Sequence, residues 1–359
     1  MTLLLRENDA SFIRTAASII QKNGTVPFPT ETVYWLGANA LSFKAVAKIF
    51  RAKNRPADNT LIVHIADKAD LEMLAREVPD IAFDLVDAFW PGPLTLILKR
   101  LRIVPDITTG ALDSVGIRMP DHKIALALIS EAGVPIAAPS ANTSGKPSPT
   151  TASHVIDDLF GKIDAIIEGG PTRFGIESTV LDLTVEVPTL LRPGAVGLEE
   201  LINCIGEVRK GYHDHTFPLN VSVKSPGMKY VHYAPNAKMI LVEGKRALVI
   251  DRINQLVLEY KSQGMHIGVL ITKESAEQVS ADHEYILGSI EDLHTVASNL
   301  FTGFRYFDEL RVDLIIAEGV FPSKGVGAAI MNRLRKAAST KIYVGLSGCS
   351  IIYPLLSAV

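Results

Sequence analysis

The sequence predicts an α/β protein of two domains. The first domain is expected to be a mixed, twisted sheet with helices, and the second a smaller, parallel, Rossmann-like sheet. The chain has 359 residues, more than one hydrophobic core usually serves. Strand-like and helix-like apolar spacings alternate along it, as in α/β folds, and one polar stretch rich in Pro and Gly interrupts them. We expect a first domain at 1–207, a linker or active-site lid at 208–236, a second domain at 237–345 and a tail at 346–359.

Apolar spacing distinguishes helices from strands in the first domain. Helical spacing predicts helices over 10–22, 42–50, 71–89 and 122–132, and Ser42 is suited to cap the second of them. Short apolar runs predict strands over 25–30, 61–65, 94–99, 115–120, 134–140, 164–170, 177–184 and 188–194. Hairpin-like neighbours and helical crossovers both occur, so the pattern favours a mixed sheet over a purely parallel one.

The second domain shows a more regular alternation of strands and helices. Strands are predicted over 239–244, 247–250, 266–272, 284–288 and 312–319. Helices are predicted over Arg252–Gln263, Ile290–Leu310 and Val326–Ala338. This order is typical of a parallel sheet. The last residues, 342–359, carry no charge, but Gly, Ser and Pro interrupt them, so we expect a poorly structured or partly packed tail rather than a membrane span.

Composition excludes several classes of protein. The formal net charge of −3 argues against a protein whose main task is binding nucleic acid. Cys204 and Cys349 have no paired spacing, so we expect no disulfide framework. The first residues, MTLLLREND, reach charged positions without a long apolar stretch, so we expect no secretory signal and a cytoplasmic location.

Three short patterns resemble known ligand sites but do not match them. Ser144–Lys146 lacks the first glycine and the final hydroxyl residue of a phosphate loop. Gly325–Gly327 opens a predicted helix but lacks the third glycine of a dinucleotide-binding turn. His213 and His215 have no third ligand nearby, which favours a solvated pair over a metal site.

Four segments of the first domain carry polar residues where a core pattern would place apolar ones. They are Pro29–Tyr34, Lys53–Pro56 with Asn59 and His64, Ser140–Asn142 with Ser148 and Thr150, and Glu177–Thr179 with Arg192–Gly194. We expect each segment at a strand end or in the loop beyond it, where ligand sites of α/β sheets gather.

The residue types in these segments suit the binding of an anionic ligand. Fixed positive charge comes from Lys53, Arg55, Arg118 and Arg192. Neutral hydrogen bonds can come from Thr32, Ser140, Asn142, Ser148 and Ser178. No residue has the pattern of an activated nucleophile, which favours catalysis by positioning and charge neutralisation, as in nucleotidyl transfer.

Each of these residues also has a structural interpretation. Arg55 and Arg192 could be surface or ion-pair residues, and His64 could be a core histidine with satisfied nitrogens. Thr32 and Thr179 suit strands through β-propensity alone. Composition and spacing therefore indicate an anion-binding α/β enzyme and go no further.

Longer motifs resemble one family. PTETVYWLGANA, KNRPADNTLIVHI, WPGPLTLIL, VGIRMPDH, PIAAPSANTSGKPSPT, GIESTVLDL and LLRPGAV are similar to the YrdC-type domain of threonylcarbamoyl-adenylate synthases. The stretch SPGMKYVHYAP and the α/β region after it resemble the two-domain Sua type of that family. The resemblance extends to about Lys341, so it implies a YrdC-like first domain and a Sua-type second domain.

The resemblance implies a reaction and a set of site residues. L-threonine, bicarbonate and ATP would give threonylcarbamoyl-AMP and pyrophosphate, and the product would pass to a tRNA threonylcarbamoyl transferase. By position, the threonine-binding residues would be Thr32, His64, Arg118, Ala138 and Ser178. The ATP-binding residues would be Arg55, Asn59, Thr109, Ser140, Ser148, Arg192 and Tyr230. Lys53 and Arg55 would act in catalysis, and Mg²⁺ would arrive with ATP rather than in a protein cage.

Two residues depart from the family pattern. The family usually has glycine where this chain has Trp35. A large ring beside Thr32 and Tyr34 is expected either to crowd the threonine pocket or to require a backbone conformation that glycine adopts more readily. The family usually has a basic residue where this chain has Val231, so one phosphate contact would be missing.

Two other functions are compatible with the fold type. One is a YrdC-like module that binds RNA without turnover, against which the net charge argues. The other is a carbamoyltransferase maturation factor, whose zinc-finger regions need more cysteines than this chain has.

The linker carries side chains that a spacer does not need. Lys229, Tyr230, His232 and Tyr233 fall in a short span that has the composition of a loop. We expect them to form a lid that excludes water from a hydrolysable adenylate, with the second domain as its anchor. The alternative is that the aromatic residues only attach the linker to the second domain.

Overall fold

The chain forms two compact units. The computed structural model describes residues 2–212, 224, 232–345 and 350–354, the last of these as backbone only. The first unit comprises Met1–Ser144 and Ser148–Tyr230, and the second comprises Gly145–Pro147 and Val231–Val359.

The first unit contains twelve strands and eight helices among its described residues. The strands are β1 (Leu3–Arg6), β2 (Val26–Pro29), β3 (Tyr34–Asn39), β4 (Ile62–His64), β5 (Ala75–Arg76), β6 (Leu94–Arg100), β7 (Ser114–Arg118), β8 (Ile136–Ala138), β9 (Ala165–Glu168), β10 (Thr179–Asp182), β11 (Thr189–Arg192) and β12 (Arg209–Lys210). The helices are α1 (Phe12–Gln21), α2 (Phe43–Lys53), α3 (Asp70–Leu74), α4 (Asp80–Phe89), α5 (Asp106–Thr109), α6 (Lys123–Ala132), α7 (Ala152–Leu159) and α8 (Leu198–Ile205).

The main sheet of the first unit is mixed, as predicted. Its strand order is β12-β11-β10-β6-β7-β4-β8-β3-β2, and β5 pairs with β6. Parallel pairs such as β4 with β7 alternate with antiparallel pairs such as β6 with β7. Strands β1 and β9 form a separate parallel pair. Buried aliphatic side chains of the sheet pack with those of α2 and α4 in one core, which fixes strands that bear the polar segments.

Local signals located most first-unit elements, with one clear error. Ser42 caps α2, because its hydroxyl accepts a hydrogen bond of 3.3 Å from the amide of Ala45. The single helix predicted over 71–89 is wrong: α3 ends at Leu74, β5 follows, and α4 begins at Asp80, directly after its N-cap residue Pro79. Proline suits a helix start because it lacks an amide hydrogen, and β5 gains backbone pairing with β6.

The second unit contains a six-stranded sheet covered by helices. Its strands are β13 (Lys238–Gly244), β14 (Ile267–Ile271), β15 (His283–Ile286), β16 (Leu314–Gly319), β17 (Thr340–Val344) and β18 (Ser350–Pro354). Its helices are α9 (Arg246–Ser262), α10 (Leu293–Leu310) and α11 (Gly325–Ala337). The strand order is β15-β14-β16-β13-β17-β18, parallel except for the final β17–β18 pair. The predicted Rossmann-like parallel sheet is therefore confirmed.

Two predictions for the second unit are wrong. The run at 247–250 is not a strand but the start of α9, because Val249 and Ile250 belong to the same buried helical face as Ile253 and Val257. Ser350–Pro354, expected to lie in a poorly structured tail, pairs antiparallel with Thr340–Val344. No helix among the described residues has the length and apolar character needed to cross a membrane.

A short piece of the third polar segment, Gly145–Pro147, belongs to the second unit. The carbonyl of Pro147 accepts a hydrogen bond of 2.6 Å from Nη2 of Arg305, a buried residue of α10. The carbonyl of Gly145 accepts a hydrogen bond of 3.0 Å from the amide of Ala234. The residues between Ser144 and Ser148 are thus fixed by the second unit's own side chains and backbone.

Candidate active site

His64 and Arg118 lie side by side in the centre of the first unit's sheet. His64 is the last residue of β4 and Arg118 the last of β7, and the two are register partners on these parallel strands. Register partners project from the same face of a sheet. Both side chains are fully buried, so the sheet holds a cation and an imidazole away from water.

Glu31 neutralises much of the charge of Arg118. Its Oε1 lies 2.6 Å from Nη2 of Arg118, and both side chains are buried. Nε of Arg118 donates a hydrogen bond of 3.1 Å to the carbonyl of Gly92. Nη1 of Arg118 and Oε2 of Glu31 have no hydrogen-bond partner among the described residues. Such buried polar atoms cost free energy unless a ligand or water satisfies them.

His64 is a buried imidazole whose two nitrogens lack hydrogen-bond partners in the described part of the chain. Burial lowers the pKa of His64 well below its ordinary value of 6.5, and the positive charge of Arg118 lowers it further. The ring is therefore neutral near pH 7 and can donate one hydrogen bond and accept another.

Trp35 completes this cluster from β3. Its Nε1 donates to the hydroxyls of Thr30 at 3.1 Å and Thr32 at 3.3 Å. Its ring lies edge-on to the His64 ring, with 4.9 Å between ring centroids. The guanidinium carbon of Arg118 lies 5.6 Å from the centroid of the Trp35 ring. Three of the predicted threonine-binding residues are thus in contact with one indole.

The other two predicted threonine-binding residues lie on neighbouring strands. Ala138 ends β8 and is the register partner of Ile62 on β4. Ser178 directly precedes β10, and its hydroxyl lies 2.8 Å from that of Thr95 on β6. Strands β10, β6, β7, β4 and β8 are consecutive in the sheet. Four of the five predicted residues lie on or next to these strands, and Thr32 lies in the turn between β2 and β3.

Arg192 connects the predicted ATP residues to this cluster. Its Nε donates to the carbonyl of Ser178 at 2.9 Å, and its Nη2 donates to the hydroxyl of the same residue at 3.1 Å. The turn that follows Arg192 must approach β10 closely, because a Cβ on Gly194 would lie 2.3 Å from the amide nitrogen of Thr179.

Lys53 is tied to the loop that carries Ser140. It ends helix α2 rather than a strand, which differs from the expectation for this segment. Its Nζ donates to the carbonyl of Ser140 at 2.5 Å and to the carbonyl of Asn142. The hydroxyl of Ser140 donates to Oδ1 of Asn142 at 2.6 Å. A buried ammonium therefore orients one predicted ATP-binding residue.

The remaining predicted ATP residues form two further contacts. The hydroxyl of Ser148 donates to the Glu177 carboxylate, and both residues are buried. Nη2 of Arg55 donates to the carbonyl of Thr60 at 3.3 Å, one residue after Asn59. Thr109, at the end of α5, donates to the carbonyl of Leu112 at 3.0 Å.

Part of the predicted linker lies outside the described residues. Tyr230, Lys229 and Val231 are among these, as are His213 and His215 of the possible metal pair. Tyr233 is described and belongs to the second unit: its ring stacks on Phe301 of α10 with 5.3 Å between centroids. This position of Tyr233 fits the alternative that an aromatic residue attaches the linker to the second domain.

No metal site is evident in the described ranges. No three side chains of His, Cys, Asp or Glu in them gather as ligands for an ion. The site instead contains the buried cations Lys53, Arg118 and Arg192. These three cations suit the binding of an anionic ligand.

Comparisons with known proteins agree with this geometry. A family model described as "Telomere recombination" matches residues 18–194, and one described as "Threonylcarbamoyl-AMP synthase, C-terminal domain" matches residues 196–339. The threonylcarbamoyl-AMP synthase of Pyrococcus abyssi is 52% identical over 331 residues, which cover 92% of this chain and 95% of the relative. The chain belongs to the two-domain threonylcarbamoyl-AMP synthase family. The synthase of Bacillus subtilis is 51% identical over 94% of this chain and 96% of its own.

A solved member of the threonylcarbamoyl-AMP synthase family has the same fold. The crystal structure of P. abyssi Sua5 complexed with L-threonine superposes with a TM-score of 0.89 at 49% identity, covering 96% of this chain and all of that one. The E. coli YciO structure matches 54% of this chain with a TM-score of 0.50 and 27% identity. The predicted family and fold class are both confirmed.

Sequence reasoning assigned no role to two residues that the site uses. Glu31 pairs with Arg118, and Glu177 accepts from Ser148. Glu31 and Glu177 both lie within the motifs shared with the threonylcarbamoyl-AMP synthase family. A carboxylate inside an apolar strand pattern is the signal that could have identified them, since an unpaired charge is rarely buried.

Proposed function

We propose that this protein is an L-threonylcarbamoyladenylate synthase, a nucleotidyltransferase. It would convert L-threonine, bicarbonate and ATP into threonylcarbamoyl-AMP and pyrophosphate. The observation that carries the proposal is the buried cluster of Thr32, His64 and Arg118. It occurs in a chain 49% identical to a protein complexed with L-threonine. Relatives in Pyrococcus abyssi and Bacillus subtilis are named threonylcarbamoyl-AMP synthases.

The reaction needs two bond-forming steps. The threonine amine nitrogen bonds to the carbon of CO₂ derived from bicarbonate and releases a proton, which leaves a carbamate. A carbamate oxygen then attacks the α-phosphorus of ATP, and the bond from that phosphorus to the β-phosphate oxygen breaks. Pyrophosphate departs with the electron pair. Neither step needs a protein nucleophile, so the site has to position charged groups and reduce their repulsion.

The threonine subsite would be the face that bears His64 and Arg118. A neutral His64 can exchange hydrogen bonds with the substrate without adding charge. Nη1 of Arg118 can donate to a carboxylate, because Glu31 lies at the other amino group of the guanidinium. The hydroxyls of Thr32 and Ser178 add neutral contacts, and Ala138 leaves room on β8.

The ATP subsite would lie along the cations that follow this face. Arg55 and Arg192 would contact phosphate oxygens, and Lys53 would add positive charge near the carbamate or the phosphates. Asn59, Thr109, Ser140, Ser148 and Tyr230 would supply the remaining contacts. Mg²⁺ bound to the triphosphate would lower its negative charge when the nucleotide enters.

The chemistry of the product indicates which kind of enzyme would act after this one. Threonylcarbamoyl-AMP is a mixed anhydride that water destroys, so an enzyme that transfers its acyl group to tRNA must receive it soon after release. We place this sequence in the cytoplasm, where threonine, ATP and tRNA occur together. The linker at 208–236 is proposed to cover the site while the adenylate forms.

Labelled bicarbonate tests the proposal against the RNA-binding alternative. The protein is incubated with ¹⁴C-bicarbonate, ATP, Mg²⁺ and threonine, and acid-labile label in an adenylate is measured. The proposal expects label only when all substrates are present, and expects its loss in Arg192→Ala. Arg173→Ala is the matched control, because Arg173 is exposed and pairs with Asp121. No label together with salt-sensitive RNA binding would favour the binding module.

A further inference from the structure

We infer that Trp35 is a specificity-determining residue that narrows the amino-acid subsite. In this inference, the indole lowers the affinity for threonine and weakens the preference for threonine over serine. It rests on the proposed function, because that function places the amino acid beside Thr32, His64 and Arg118. The main observation behind the inference is that the Trp35 side chain contacts all three of these residues.

The first argument is the space that the indole fills. Trp35 is 1% exposed and is the largest fully buried side chain in the described part of the chain. It pairs with Phe28 across the β2–β3 hairpin, and Phe28 also meets His64 edge-on, at 6.0 Å between ring centroids. The aromatic rings therefore cover the imidazole that the substrate is proposed to contact.

The second argument is the competition for hydroxyl oxygens. The indole N–H is a donor only, and it points at the oxygens of both Thr30 and Thr32. The two hydroxyls also lie 2.8 Å from each other, and the hydroxyl of Thr30 donates to the carbonyl of Val33. A substrate amine, which is likewise a donor, would have to share the remaining lone pairs of Thr32.

The third argument is that polar atoms of His64 and Arg118, next to the indole, are buried without hydrogen bonds in the part of the chain that the structure describes. Both nitrogens of His64 and Nη1 of Arg118 have no hydrogen-bond partner within the described residues, although each is buried. Buried polar groups of this kind point to a ligand that completes them. The indole cannot do so, because it presents ring carbons to His64 and its N–H to the threonines. The ring therefore occupies part of a site that is built for a polar ligand.

The discriminating feature between threonine and serine is one methyl group. A pocket that fits this methyl closely distinguishes the two by about 10- to 200-fold. An indole in the same space leaves less room for the methyl, so the discrimination falls. Replacing Trp35 with glycine removes the whole side chain and restores that volume.

Steady-state kinetics with threonine, serine and ATP test this inference. In Trp35→Gly, we expect a lower KM for threonine and a threonine-to-serine ratio of kcat/KM that rises at least about tenfold. The KM for ATP should stay unchanged. Trp35→Phe keeps most of the ring volume but loses the N–H, so its ratio should stay close to that of the unaltered protein.

Trp90→Phe is the matched control. Trp90 is also buried, but its Nε1 donates to the carbonyl of Leu94 and its ring has no role in the proposed subsite. Circular dichroism establishes that each variant is folded, and Trp35→Ala replaces the glycine variant if that one unfolds. An unchanged ratio and an unchanged KM for threonine in a folded variant overturn the inference, as does loss of activity with every amino acid.

Failure of the proposed function gives a different result. In that case the unaltered protein and all variants release no pyrophosphate with any amino acid. Calorimetry with L-threonine then still tests the subsite. Tighter binding to Trp35→Gly than to the unaltered protein supports the inference, and equal affinity overturns it.

Discussion

Arg192 holds Ser178 at two atoms, through hydrogen bonds of 2.9 Å to its carbonyl and 3.1 Å to its hydroxyl. The first residue is proposed to contact ATP and the second to contact threonine. The two subsites therefore share a rigid, buried connection between the end of β11 and the start of β10. A substitution of Arg192 should therefore raise KM for both ATP and threonine. A substitution of a cation without such a link should raise KM for ATP alone.

Arg192→Lys tests this connection. Lysine keeps the charge, but all its donors are on one nitrogen instead of a planar fork, so it cannot reproduce both contacts to Ser178 in the same geometry. We expect KM to rise for both ATP and threonine. Loss of a charge-assisted contact costs about 1.5–3 kcal/mol, or roughly ten- to a hundredfold. An increase for ATP alone would show that the link to Ser178 does not reach the threonine subsite.

Arg55→Ala provides the comparison. Nη2 of Arg55 donates to the carbonyl of Thr60, a residue that is not one of the predicted threonine-binding positions. We expect KM for ATP to rise by roughly ten- to a hundredfold, with binding of threonine unchanged in calorimetry. Unaltered ATP affinity and turnover would remove Arg55 from the ATP subsite.

His64 predicts a pH dependence of stability. The pKa of His64 in the folded chain lies below its ordinary value of 6.5, so the unfolded chain binds the extra proton first as pH falls. The stability contributed by the neutral ring is therefore present above about pH 6.5 and is lost as pH falls toward the folded pKa. The slope is at most about 1.4 kcal/mol per pH unit.

Urea unfolding between pH 7.5 and 5 measures this effect. His64→Gln should unfold with a shallower dependence of the unfolding free energy on pH than the unaltered protein. His266→Gln serves as the control, because His266 is exposed. Equal slopes for the unaltered protein and His64→Gln would mean that the imidazole is not held neutral by burial.

Arg305→Met tests the role of the second unit. Nη2 of Arg305 donates to the carbonyl of Pro147, which immediately precedes Ser148 in the sequence. Loss of this donor should loosen the loop and raise KM for ATP several-fold, although Arg305 has no proposed substrate contact. Arg246→Met, at the exposed start of α9, is the control. If the two variants have identical kinetics, Arg305 of the second unit does not contribute to ATP binding.

Local patterns predicted most elements because their signals lie within the element itself. The Ser42 cap and the alternating runs of the parallel sheet are of this kind. The errors came from distant or competing signals. The aliphatic run at 247–250 reads equally as strand or helix until the buried face of α9 is seen, and β18 exists only through pairing with β17.

For the site as well, local sequence predicted some features, and others depend on residues that are distant in the sequence. Residue types predicted an anion-binding site, and the family resemblance supplied roles for individual positions. Which side chains touch could not be predicted, because the partners are far apart in sequence. Glu31 and Arg118 are brought together only by the arrangement of the sheet, as are Trp35 and His64. Crowding by Trp35 could be expected from its position near Thr32, but its contact with His64 depends on the fold.

Product analysis by mass spectrometry tests the central claim most directly. The protein is incubated with ATP, Mg²⁺, L-threonine and either ordinary or ¹³C-labelled bicarbonate, and the adenylate is isolated at low temperature. Formation of threonylcarbamoyl-AMP predicts an adenylate whose mass increases by that of one extra neutron with labelled bicarbonate. An adenylate of unchanged mass would be a simple threonyl adenylate, and this result, like the absence of any adenylate, would contradict the account.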